Sequence, residues 1–146
     1  MADVPPSKII YDLLDDAGSV IASDPDTAWS AHISKTPSSP HAVISIFDTG
    51  GFNPNPALQI DQVTVQVLVR GEPTGYLAAY QKAQDIKDTL LGTDSQDVGS
   101  DRVVSVTMIG DIAFLGRDSN DRPELSVNFR MILERTPSSL SNRIPV

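Results

Sequence analysis

The stretch HAVISIFDTGGFNPNPALQIDQVTVQVLVRG, residues 41–71, decides how this chain is read. Residues 42 to 47 are almost continuously apolar, the pattern of a central strand covered on both faces. Residues 61 to 70 alternate instead. Val63, Val65, Val67 and Val69 share one face, and Gln62, Thr64, Gln66 and Arg70 lie mostly on the other. Between the two runs, Asp48-Thr49-Gly50-Gly51 and Asn53-Pro54-Asn55-Pro56 supply residues that favour turns. The 48–60 segment is too long for a minimal hairpin and too rich in proline to move freely. A strand, a stiff arm and a second strand are the expectation.

Working outward, Pro5 and Pro6 suit the first turn of a helix, where their missing N–H groups are not needed. Ile9, Ile10, Leu13, Leu14, Ala17, Val20 and Ile21 follow at helical spacing, opposite Asp12, Asp15 and Asp16. That predicts an amphipathic helix ending before Asp24-Pro25-Asp26. A short extended piece is expected around Trp29 to Ser34, then a loop at Thr36 to Pro40. Beyond the arm, a second helix is read from Tyr76 to Leu91, with Tyr76, Ala79, Tyr80, Ala83, Ile86 and Leu90 as its buried side and Gly92 as its stop. A polar loop from Thr93 to Asp101 separates it from strands at Val103 to Ile109, Ile112 to Leu115 and Leu125 to Leu133. Trp29, Phe47, Phe114 and Phe129 read as core. Long β runs with two helices predict an α+β fold, a mainly antiparallel sheet with two amphipathic helices packed on it. Residues 1–135 form the expected single domain, and 136–146 an extended C-terminal tail with too little apolar content to fold alone.

Composition narrows the function classes. The chain has 146 residues, 40 % of them hydrophobic, which is enough to bury a core without cross-links. It contains no cysteine, so disulfides and thiolate metal sites are excluded. No basic n-region precedes an apolar run, and no run approaches the roughly 20 residues that span a bilayer. The expected location is therefore a cytoplasm, or a particle assembled there, with no membrane partner. The net charge is −8, from 19 acidic and 11 basic residues without a basic cluster, which argues against a sequence-independent nucleic-acid binder.

The sharpest enzymatic signal is Asp48-Thr49-Gly50 after an apolar strand, because a homodimeric aspartic protease places one such aspartate from each copy face to face. Met108-Ile109-Gly110 resembles the apolar element near that catalytic turn. Three features oppose the reading: Gly51 where Ser or Ala is usual, the rigid Phe52 to Pro56 segment, and two helices in a chain where that protease would be almost all β. The motif then reads as a turn in which Asp48 bonds local backbone and the glycines take positive φ. His32 and His41 lack a carboxylate at metal-binding spacing. Asp118-Ser119-Asn120-Asp121 resembles a calcium loop, but Arg122-Pro123 breaks the pattern and a tight turn is expected. No nucleotide-binding or hydrolase fingerprint is present. Neither an enzyme nor a bound cofactor or metal is expected.

The order of segments carries a resemblance. An N-terminal helix is followed by Pro40-His41-Ala42-Val43-Ile44-Ser45-Ile46-Phe47-Asp48-Thr49-Gly50-Gly51, then by Val63 to Val69 closed by Arg70-Gly71 and by a Tyr-rich helix. Leu115-Gly116-Arg117-Asp118-Ser119-Asn120-Asp121-Arg122 and a last strand bearing Asn128-Phe129 complete it. Over roughly residues 5 to 135 this resembles the minor capsid and tail terminator (tail completion) proteins of siphophages. The resemblance implies a structural protein at the head–tail junction of a virion, assembled in the host cytoplasm. It implies a homo-oligomeric ring, a hexamer, that caps the tail tube protein, stops its polymerisation and meets a head-completion or connector protein. A head-completion or connector component is the nearest alternative, and the Asp48 protease is the one from another class. The genome would pass through the lumen without specific binding, repelled by acidic subunits. The interface candidates are Asp48, Gly51, Phe52, Asn53, Pro54, Asn55 and Pro56 in and beside the arm. Arg70, Arg117, Asp118 and Arg122 join them, as groups whose planar pairing between subunits would fix a ring's register.

Overall fold

The computed structural model describes residues 4–18, 20–136 and 139–143. They form, in order, α1 (Pro6–Asp16), β1 (Ser30–Ile33), β2 (Val43–Gly51), β3 (Ile60–Arg70), α2 (Tyr76–Leu90), β4 (Gln96–Val98), β5 (Asp101–Met108), β6 (Ala113–Arg117) and β7 (Pro123–Glu134). The strands make one sheet in the order β1-β2-β3-β7-β5-β4, with β6 paired to β7. β7 is its axis. β3 pairs along its length, while β5 and then β6 follow one another along its other edge. All pairings are antiparallel except β1 against β2. The fold is thus α+β, with a mostly antiparallel sheet and two helices.

Both helices pack on one face. Ile44 and Ile46 of β2, Val65, Val67 and Val69 of β3, and Leu125, Val127, Phe129, Met131 and Leu133 of β7 are completely buried there. They meet Ile9, Ile10, Leu13 and Leu14 of α1 and Ala79, Ala83, Ile86 and Leu90 of α2. Burying each larger side chain stabilises by about 1.5–3 kcal/mol. The alanines of α2 let its axis come close to the sheet. At the β3–α2 junction Gly71 is required, since a Cβ there would lie 2.8 Å from that of Ala79. The opposite face of the sheet carries Thr49, Thr64, Gln66, Asn128 and Arg130, with Thr64 opposite Arg130 and Gln66 opposite Asn128.

Several expectations change. α1 ends at Asp16, and Gly18 at φ 80° turns the chain; Val20 and Ile21 are buried beyond that turn, so their spacing reported burial and not helix. Tyr80 is exposed and Tyr76 half-buried, because the small residues of α2 make the core contact. Phe114 is 52 % exposed and packs edge-on against Tyr76 at 5.5 Å, while Trp29 and Phe47 are half-buried; Phe129 is core. The polar stretch 93–101 contains β4, an edge strand with exposed Gln96 and Asp97 whose composition hid it. Asp48 to Gly51 are not a turn. They continue β2 through a bulge, Gly50 pairing with Thr64 and Gly51 with Val63. Of the C-terminal tail, Pro137, Ser138 and residues 144–146 lie outside the described residues.

Candidate assembly surface

The bulge sets the root of the arm. Gly50 at φ 95° and Gly51 at φ 146° adopt conformations that L side chains rarely take. A Cβ at Gly51 would stand 2.2 Å from the Gln62 carbonyl oxygen. The extra residue bends β2, as bulges do. The chain then leaves the sheet at Phe52, whose N–H still donates to the Gln62 carbonyl at 3.0 Å. Asn53 to Ala57 are exposed. Their turn is held by the Asn55 side chain, which accepts from the Ala57 N–H at 2.8 Å.

Asp48 points toward the helical face. Its Oδ1 accepts from the Ser7 N–H at 2.8 Å and its Oδ2 from the Ser7 hydroxyl at 2.7 Å. The residue before α1, Pro5, makes no side-chain cap, so a strand carboxylate satisfies an orphan N–H of the helix's first turn and complements its dipole. The expected bonding of Asp48 to local backbone is therefore replaced by a clamp between β2 and α1. Both oxygens accept structural hydrogen bonds from the first turn of α1.

The arm's base is tied to the C-terminal segment. Arg143 donates to the Asp61 carboxylate at 2.8 Å and to the carbonyls of Asn55 at 3.1 Å and Ile60 at 3.4 Å. Gln59 donates to the Ser141 hydroxyl at 3.1 Å. Asp61 also faces Arg135 at 3.4 Å, and Arg135 in turn reaches Asp101 at 2.8 Å and the Val4 carbonyl at 3.1 Å. Asp101 is fully buried and takes a further bond from the Thr136 N–H at 3.1 Å. This network was not legible in the sequence, since its members are scattered from Val4 to Arg143.

Arg70 and Arg122 are turned inward, with their partners in the same chain. Arg70 is 3 % exposed and donates to the carbonyls of His41, Pro37 and Pro40 at 2.6–2.9 Å. Burial, and then the nearby Arg122 charge, hold its pKa below the ordinary arginine value. Arg122 is 4 % exposed, binds Asp118 at 2.8 Å and donates to the Ser38 carbonyl at 2.7 Å. Together the two guanidinium groups hold the 37–41 loop against the sheet. Both cations satisfy loop carbonyls that no strand covers. Asp118 Oδ1 also accepts from the N–H groups of Asn120 and Arg122, at 3.0 and 2.9 Å, and closes the expected tight turn. Burial alone would raise its carboxyl, but these hydrogen bonds and the Arg122 guanidinium bring it below its usual value. Arg117 remains half-exposed, donating to the carbonyls of Pro73 and Asp121 at 2.7 Å each.

One further residue joins the arm. The Arg130 guanidinium lies over the Phe52 ring at 4.6 Å, on the sheet face away from the helices. In sequence it is one outward position of an alternating strand, and only the register brings it to Phe52.

No curated protein matches the sequence. Among solved structures, a chain of the "Virion of native gene transfer agent (GTA) particle" is similar in fold. It has a TM-score of 0.64 and 17 % identity, over 89 % of this chain and 95 % of that one. The family described as "Bacteriophage tail terminator protein" matches residues 12–135. With most of its length covered by that match, the chain belongs to the phage tail terminator family.

Proposed function

We propose that this protein closes the end of the tail tube as a ring, of six copies, that halts tube growth and offers the surface to which the head is joined. Family membership makes it a non-enzymatic structural component of the virion. That match across residues 12–135 carries the reading. The arm supports it: an exposed, turn-locked segment at the end of a rigid hairpin loses little entropy on docking. Asp48, Gly51 and the C-terminal segment act beneath it, by fixing where the arm leaves the sheet. Phe52, Asn53, Pro54, Asn55 and Pro56 are the residues assigned to contact with a neighbour or the tube.

Electron microscopy of particles assembled without the protein tests this. Overlong tails and tailless filled heads are expected. Normal-length tails on heads that leak DNA would instead indicate a head-completion or connector role.

A further inference from the structure

We propose that Arg130, stacked on Phe52, is the point at which each subunit receives a carboxylate from a second copy of the chain. The inference rests on the ring reading above and names one of its contacts.

Arg130 differs from every other arginine. Arg70 and Arg122 bind loop carbonyls, Arg102 meets Asp97, Arg117 the Asp121 turn, Arg135 Asp101 and Arg143 Asp61. Arg130 has no oxygen partner among the described residues, and its Nε is buried without an acceptor. The terminal nitrogens are not buried and have no acceptor among the described residues, so a charge-assisted pair there has to come from outside the subunit. Phe52 closes one face of the planar group and leaves the N–H edge as the side from which a fork can form. The positions flanking Arg130 across the sheet are Thr64 and Thr107, both uncharged. The next acid on the same face of β7 is Glu134, about 13 Å along the strand at the rise of extended chain. The chain therefore holds a cation here that its own acids do not reach.

Charge complementarity identifies the occupant. With 19 acids against 11 bases, a second copy brings carboxylates in excess. One-way pairing of an acid on one copy with Arg130 on the next is a heterologous contact, the kind that closes into rings. Phe52, 55 % exposed beside it, adds an aromatic anchor, and aromatic residues with arginine dominate the energetics of interfaces.

The test is a zero-length cross-link. Arg130→Lys places an amine at this point, and carbodiimide joins it only to a carboxylate in direct contact. Isotopically labelled and unlabelled copies are mixed, assembled with and without tail tubes, and digested. A peptide linking position 130 of one label to an Asp or Glu of the other is expected in the assembled fraction and absent from monomer. Arg130→Gln should lower the assembled fraction at least about tenfold with unchanged circular dichroism, in keeping with loss of a buried charged partner. Assembly undiminished in Arg130→Gln, with no mixed-label link, overturns the inference while the ring stands. Links confined to one label, or made to the tube protein, overturn it as well. A wild-type protein that stays monomeric with tubes present removes the ring reading, and this contact with it.

Discussion

Asp48 shows how a residue's neighbours decide its role. Its sequence context is that of a catalytic turn, yet Ser7 donates to both carboxylate oxygens and makes the group a helix cap supplied from a strand. Asp48→Ala should cost about 1 kcal/mol, the usual value of a lost cap, read by urea denaturation. Neither the variant nor the wild type should cleave a peptide. Gly51→Ala should cost more, because the new Cβ meets backbone at 2.2 Å in a disfavoured conformation, whereas Gly50→Ala meets nothing within 4 Å and carries only the strained φ. Urea midpoints should rank wild type above Gly50→Ala and Gly50→Ala above Gly51→Ala. His32 supplies a pH dependence. Burial, then the charges of Lys35 and Arg70, lower its pKa below 6.5. The unfolded chain then takes up the proton first, so this contribution to stability is complete above about pH 6.5 and is lost as pH falls toward the folded value. The drop in melting temperature between pH 7.5 and 5.5 should be smaller in His32→Gln.

At the scale of elements, sequence periodicity served well where one face of a long segment is buried. β3, β7 and the α2 core positions follow their patterns because alternation or helical spacing there is imposed by a single packed layer. It failed where burial is reached without regular structure, as at Val20 and Ile21, and where an edge strand is polar, as at β4. The arm was legible as a proline-rich insertion between two strands. The groups that fix it were not, because Ser7, Asp61, Arg135 and Arg143 meet only through tertiary structure. That network separates two effects. Arg135→Ala leaves the buried Asp101 carboxylate without its cation and should cost about 3–5 kcal/mol, the penalty for breaking a buried pair. Arg143→Ala touches the half-exposed end and should leave the melting temperature nearly unchanged while speeding amide exchange in residues 53–61. Equal protection of the arm in wild type and Arg143→Ala would show that the C-terminal segment does not hold it.

For the molecule as a whole, the placement of cations matters more than the net charge of −8. Lys8, Lys87, Arg102, Arg117, Arg122, Arg135 and Arg143 are in ion pairs. Arg70 is spent on loop carbonyls, and Lys82 donates to the Val20 carbonyl at 3.0 Å beneath the Trp29 ring. Among the described residues Lys35 and Arg130 are left, and the Arg130 face is partly shut by Phe52. Non-specific affinity for DNA grows with the number of phosphates that free Lys and Arg neutralise, each releasing a counterion. Two such groups in an acidic subunit cannot repay the repulsion from 19 carboxylates, and the proposed ring would multiply the imbalance. Duplex DNA should therefore show no retardation by the protein at 150 mM salt up to about 100 μM, the weak end of non-specific binding. Lowering the salt should not produce binding, because reduced screening strengthens the repulsion as well. Retardation that appears at low salt and fades with a steep salt slope would mean that cations paired in the subunit are released to bind phosphate, and that the protein holds DNA instead of repelling it.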